Sequence, residues 1–228
     1  MKVNVHAGHN PDGKPACGAA GIIKESTEAR KVKDELVRLL RQEGHTVYDC
    51  TVNDGTSKSN VLSKIVAKCN AHTVDLDVSI HFNAGAGDKG GNGKITGTEV
   101  LLYSAGSKSK DAAGRILTRI CGLGYKNRGI KYRPDLAVLN KTKAPALLVE
   151  CCFVDDKDDI LLYDYKNMAK AIAEGILNKR IKGTEQQVTP SCCFKVQIGA
   201  FTERKNADKL AEKLKKEGYS PVVIASER

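Results

Sequence analysis

The stretch V-D-L-D-V-S-I-H-F-N, residues 74–83, decides the fold. Val74, Leu76, Val78 and Ile80 alternate with Asp75, Asp77 and Ser79, the period-two pattern of a strand with one face buried. Before it, Val61, Ile65 and Cys69 recur at helical spacing. Far beyond it, the run A-L-L-V-E-C-C-F (residues 146–153) is apolar enough for an interior strand. The rest of the first 180 residues alternates in the same way. Residues 2–6 read as a first strand, followed by a turn at Gly8. From Ser26, read as an N-cap, Ala29, Val32, Leu36, Leu39 and Leu40 mark a helix that Gly44 ends, and residues 46–48 form a second strand. A glycine-rich loop, residues 85–97, leads into a strand over 98–103. A helix near 112–121, an apolar stretch at 136–139 and a last helix near 167–177 complete the series. Strands alternating with helices predict an α/β domain with a mostly parallel sheet flanked by helices.

The chain has 228 residues, enough for one ordinary domain and a small module. With 41 % apolar and 28 % charged residues it has the composition of a folded globular protein, which excludes a disordered or collagen-like chain. No run approaches the roughly 18 consecutive apolar residues that cross a bilayer. The start, M-K-V-N-V-H-A-G-H-N, lacks the apolar core of a signal peptide, so the expectation is a protein made in the cytoplasm that reaches any outside substrate by another route. The eight cysteines, Cys17, Cys50, Cys69, Cys121, Cys151, Cys152, Cys192 and Cys193, contain no C-x-x-C pair, which argues against a structural zinc site and for mostly reduced, partly buried thiols. The 37 basic and 27 acidic side chains leave a net charge of +10, suited to a polyanionic partner. No aromatic-basic interleaving supports nucleic acid as that partner.

Residues 1–180 therefore read as the main domain and residues 181–193, polar and aperiodic, as a linker. Residues 194–228 follow as a small βαβ module: a strand over 194–201, an amphipathic helix over 203–217 with Ala207, Leu210, Ala211 and Leu214 on one face, and a strand over 219–224. About 35 residues bury too little to stand alone.

Two of the five histidines sit where ligands collect in α/β sheets, beyond the carboxyl ends of strands. His9 lies in H-A-G-H and His81 in S-I-H-F-N. Glu25 directly precedes a helix that starts beside the same edge. Two imidazoles and a carboxylate form a usual catalytic zinc set with one position left open. His6 flanks Gly8 and competes with His9 for the role of ligand. Glu150 ends the apolar A-L-L-V-E, a costly place for a carboxylate without a partner or a task.

These pieces occur in one order: H-A-G-H, G-A-A-G-I-I-K-E, S-I-H-F-N-A, G-T-E-V-L-L-Y and P-A-L-L-V-E-C-C-F. In that order and spacing, residues 1–180 resemble the zinc-dependent N-acetylmuramoyl-L-alanine amidases of the Amidase_3 family. The resemblance implies a twisted sheet flanked by helices, one Zn²⁺ per domain held by His9, Glu25 and His81, and Glu150 as the catalytic glutamate. Two departures stand out. His6 takes the place of an aspartate common in the family, and Cys152 the place of a glycine; a buried thiol suits Cys152 better than a stray ligand. Residues 194–228 resemble one repeat of a sporulation-related (SPOR) domain, a module that binds peptidoglycan and normally has two such halves.

The expected function is hydrolysis of the amide between N-acetylmuramic acid and L-alanine, in an endolysin or a sporulation autolysin. Two alternatives stand beside it: an inactive peptidoglycan-binding shell, and a zinc peptidase cutting within the stem peptide. Asn83 is expected to position substrate, Lys131 and Arg133 to meet stem-peptide carboxylates or wall phosphates, and two chains to pair through residues 194–228.

Overall fold

In the computed structural model of the chain, residues 1–92, 96–181 and 198–218 are described, together with Pro221 and Val223. The chain divides into two units, Met1–Lys182 and Gly183–Arg228. In chain order the first carries β1 (Lys2–Ala7), α1 (Glu25–Gln42), β2 (Thr46–Asp49), α2 (Lys58–Asn70), β3 (Leu76–Asn83), β4 (Thr98–Leu102), α3 (Lys110–Cys121), β5 (Asn127–Tyr132), α4 (Ala137–Asn140), β6 (Ala146–Phe153), α5 (Lys157–Leu162) and α6 (Tyr165–Leu177). The strands form one sheet in the order β2-β1-β3-β6-β4-β5. It is parallel except where β4 runs against β6.

This order explains where a site can form. The chain leaves β1 for β2 on one side and returns through α2 to β3 on the other, so the connections diverge at the carboxyl ends of β1 and β3. That divergence is the crevice in which open α/β sheets bind ligands. The two faces of the sheet differ. Val3, Val5, Ala7, Val78, Ile80, Leu147, Val149, Val100 and Leu102 face α1, α3 and α6 in the larger core, where Leu36, Leu40, Ile116 and Ile172 are fully buried. Burial of each such side chain contributes about 1.5–3 kcal/mol. Helices α3 and α6 cross closely at Gly175, where a Cβ would lie 2.5 Å from the Ile116 Cα. A smaller core under α2 and α4 gathers Val61, Ile65, Cys69, Val138, Leu139, Leu101 and Leu148.

On that second face the sheet is polar at its centre. Asn4, His6, Asp77 and Ser79 are all at most 2 % exposed, and Asn4 bridges the Cys69 carbonyl (3.0 Å) and Asp77 (2.5 Å). The expectation of a single buried face for β3 is thus corrected: Asp77 and Ser79 are buried too, because the sheet is covered on this side as well. Ser26 is also not the N-cap. Helix α1 begins one residue earlier, at Glu25, after an extended Lys24. Edge strand β5 and the short α5, capped by Asp156 through the Asp159 amide, are additions to the expected elements. Cys50, Cys69, Cys151 and Cys152 are buried free thiols. Cys152 belongs to the larger core.

In the second unit α7 (Arg204–Lys216) forms where the amphipathic pattern predicts a helix. Most of the expected linker and strands, residues 182–197, 219–220, 222 and 224–228, with Cys192 and Cys193, lie outside the described residues. Among the described residues no helix is long and apolar enough to cross a membrane.

Candidate metal centre

His9 lies in the turn that follows β1, and its backbone is held from α1. Arg30 donates to the His9 carbonyl (2.8 Å), the Val52 carbonyl (3.1 Å) and Asn53 (2.8 Å). Asn10, fully buried, knits the same turn by donating to the carbonyls of Pro15 and Gly55 and accepting from the Gly55 amide. Glu25, the first residue of α1, is 3 % exposed, and the helix N-terminus favours its negative charge. Its Oε2 accepts from the Ala19 amide (2.8 Å) and its Oε1 from the Phe82 amide (3.2 Å). His81 comes from the carboxyl-terminal part of β3.

The three side chains meet. Glu25 Oε1 lies 3.2 Å from His9 Nε2 and 3.0 Å from His81 Nδ1. One donor atom from each residue falls within 4.8 Å of the others. Two glycines make room for this. A Cβ at Gly8 would run into the His81 ring, and one at Gly18, whose φ is +81°, would lie 2.5 Å from Glu25 Oε2 and 2.8 Å from His9 Cδ2.

The electrostatics suit a cation. Burial alone would raise the Glu25 carboxyl, but hydrogen bonds from His81 and His9 and their charge outweigh it and hold it well below the usual carboxylate range. Burial lowers His81, against the hydrogen bond and charge of Glu25. An ionised carboxylate and a neutral imidazole are the forms in which these groups bind metal. His6 is elsewhere. It is 1 % exposed beneath α2, sits 3.5 Å from Ser79, and is lowered to about 3 by burial and by His81.

Glu150 stands beside this group. It pairs in register with His81 on one side and with Glu99 on the other, so all three side chains share the polar face. Its Oε2 is buried with no hydrogen-bond partner. Burial pushes the carboxyl up to about 8, helped by the charges of Glu25 and Glu99 and opposed by Arg133.

Sequence reasoning missed Glu99 and Arg128. Glu99 accepts from Asn83 (2.9 Å) and Arg128 (3.0 Å), and Arg128 also lies over the Phe153 ring, 4.8 Å from its centroid. The available signal was a lone glutamate inside the apolar T-E-V-L-L. Asn83 shares the face as expected, but both ends of its amide are engaged, by Glu99 and by the Ala84 amide. Its direct role is therefore toward Glu99. Lys131 pairs with Leu101 and is exposed on the same face, and Arg133, two residues on, is held by Asp135 at 2.8 and 2.7 Å.

Comparison with known proteins matches residues 3–179 to the Amidase_3 profile, described as N-acetylmuramoyl-L-alanine amidase, and residues 194–228 to the SPOR domain. An uncharacterized protein of Clostridium perfringens is 36 % identical over 194 residues, covering 83 % of this chain and 55 % of that protein. The endolysin of Bacillus phage SPP1 is 34 % identical over 172 residues, covering 74 % of this chain and 60 % of the endolysin. The chain thus spans little more than half the length of these curated relatives. Among solved structures, the catalytic domain of the CD27L endolysin, described as targeting Clostridia difficile, superposes with a TM-score of 0.71 at 30 % identity, covering 80 % of this chain and 99 % of that domain.

Proposed function

The chain belongs to the Amidase_3 family of N-acetylmuramoyl-L-alanine amidases, and from that premise we propose that it hydrolyses the amide joining N-acetylmuramic acid to the L-alanine of the peptidoglycan stem peptide. The observation that carries the reading is the meeting of His9, Glu25 and His81 beside a Glu150 oxygen that is buried and unpartnered. Two imidazole nitrogens and one carboxylate are the donor set of a catalytic zinc. His9 Nε2, Glu25 Oε1 and His81 Nδ1 are the atoms that would hold it. When bound, zinc supplies Lewis-acid stabilisation of charge on the scissile carbonyl oxygen and lowers the pKa of water towards about 7.

The protein's own groups do the rest. Glu25 is fixed by two backbone amides, so the ligand set is oriented before substrate arrives. Glu150 Oε2 takes a proton from the attacking water as its oxygen bonds to the carbonyl carbon, and returns it to the alanine nitrogen as the carbon–nitrogen bond breaks. Without metal, burial and the neighbouring carboxylates raise the proton affinity of Glu150; a bound zinc ion would offset that rise, leaving one oxygen able both to take the proton and to return it. Glu99, pinned by Arg128 and Asn83, sustains that affinity by placing a fixed negative charge next to Glu150. Lys131 and Arg133 extend a positive rim along the same face, where stem-peptide carboxylates would lie. The C-terminal SPOR unit holds the enzyme on wall glycan.

Digestion of purified Gram-positive walls, with mass and terminal analysis of the products, tests the reading. New amino-terminal alanine is the expected product. New ends inside the stem peptide would make the protein a peptidase, and intact walls with zinc bound would make it a binding shell.

A further inference from the structure

A second group of carboxylates lies away from the centre described above. Asp88, in the glycine-rich loop, Asp156, the N-cap of α5, and Asp158, in its first turn, each bring one oxygen within 4.8 Å of the others. Acidic clusters are common on protein surfaces, but this one is partly inside. Asp156 is 1 % exposed. Its Oδ1 caps α5 by accepting from the Asp159 amide (2.8 Å), while its Oδ2 is buried with no hydrogen-bond partner. Asp88 Oδ2 is likewise buried and unpartnered. Leaving such an oxygen unsatisfied is costly, more so for a charged group, and two carboxylates this close also repel.

The backbone holds the two segments together at this point. Asp88 and Asp156 form an isolated parallel bridge, with the Asp88 amide donating to the Asp155 carbonyl and the Lys157 amide to the Asp88 carbonyl, both at 3.0 Å. Lys157 Nζ is turned to the Gly90 carbonyl (3.2 Å). Burying two unpartnered carboxylate oxygens at a fixed crossing of two segments is explicable if a cation completes them.

We propose that Asp88, Asp156 and Asp158 bind a hard divalent cation, calcium by the chemistry of the donors, which ties the glycine-rich loop to the β6–α5 turn. The donors are all carboxylate oxygens, the set that hard cations take, and contain no nitrogen or sulfur to favour zinc. The loop joins β3, which carries His81, to β4, which carries Glu99, so the cation would stiffen one wall of the cleft without touching the zinc ligands.

The test is calorimetric titration of calcium chloride into the full chain already loaded with zinc. One calcium per chain is expected, with a Kd of about 10⁻⁴–10⁻³ M, the range of extracellular calcium modules. Asp88→Asn combined with Asp158→Asn should weaken binding at least about tenfold, since carboxylate charge count sets affinity at such sites. These positions leave the Asp156 cap in place, so the variant is expected to keep the wild-type melting temperature in chelator. His9→Ala should leave calcium binding intact. Absence of saturable calcium binding in the folded wild type, or equal binding by the double variant, would overturn the proposal. Hydrogen exchange at residues 85–91 should slow when calcium is added, and no change there would overturn the loop-tying role. None of these readouts depends on the substrate, so they stand or fall separately from the amidase reading.

Discussion

Replacing Glu150 by Gln should make the metal-free protein more stable at alkaline pH while leaving it unchanged in acid. In the folded chain the carboxyl is raised from an ordinary 4.5 to about 8 by burial and by the charges of Glu25 and Glu99. A proton held more tightly in the folded than in the unfolded chain stabilises the fold below the unfolded value, and that contribution is lost as pH climbs through the folded one. At about 1.4 kcal/mol per tenfold change in proton affinity, the full swing is on the order of 4–5 kcal/mol, trimmed to about 2–4 kcal/mol by solvent access at the cleft. Glutamine has the shape of the protonated acid and does not titrate. Urea denaturation of both proteins in chelator, at intervals from pH 4.5 to 9, reads the difference directly. The variant should match wild type near pH 4.5 and exceed it by about 2–4 kcal/mol at pH 9. A difference that stays flat across the range would refute the placement of Glu150 in a desolvated, negatively charged site. Added zinc should narrow the gap, because a nearby cation favours the ionised carboxylate.

Three further outcomes follow from particular contacts. His9→Ala should abolish tight zinc binding while His6→Gln keeps it, read by competition with a chromogenic chelator, since His9 reaches Glu25 whereas His6 lies against Ser79. Gly18→Ala should weaken zinc affinity by about 10–100-fold in the same assay, because its Cβ would press on Glu25 and His9 from a backbone with φ of +81°. Gly175→Ala should cost about 1–3 kcal/mol in urea denaturation at constant m, since its Cβ would meet the Ile116 backbone at 2.5 Å and push α3 from α6.

The interior of the sheet was readable in the sequence because packing and pattern agree there. The apolar run of β6 matches a strand covered on both faces, the alternating apolar residues of β1 and β3 match the face turned to the larger core, and α1 and α3 bury the expected sides. The polar alternation in β3 misled for a physical reason. Asp77 and Ser79 look like solvent-facing residues, yet both are buried, and Asn4 donates to one oxygen of Asp77. β5 escaped because N-R-G-I-K-Y sits at the sheet edge, half exposed, with Gly129 at φ +87° interrupting any alternation. α5 escaped because six residues are too few to show a period, although Asp156 and Asp159 carry its capping signature.

The site divides in the same way. His9, Glu25 and His81 could be proposed because each falls at the edge where strands end, but the choice between His6 and His9 needed the structure. Strand alternation points His6 under α2, whereas the turn after Gly8 carries His9 over Glu25. The Glu99–Arg128–Asn83 linkage was out of reach, since it depends on β4 running against β6 and bringing its first residues to the carboxyl end of β3. Sequence distance hides such a contact, and topology creates it.

The most direct test of the central claim is the cleavage of a purified muramoyl tripeptide by the zinc-loaded full chain and by its Glu150→Gln variant, matched for bound zinc. The account predicts two products from the wild type, the intact lactyl sugar and a tripeptide with a free L-alanine amino terminus, and a rate lower by about 10²–10⁴ in the variant. Cleavage between two amino acids of the peptide, or equal rates in the two proteins, would contradict it.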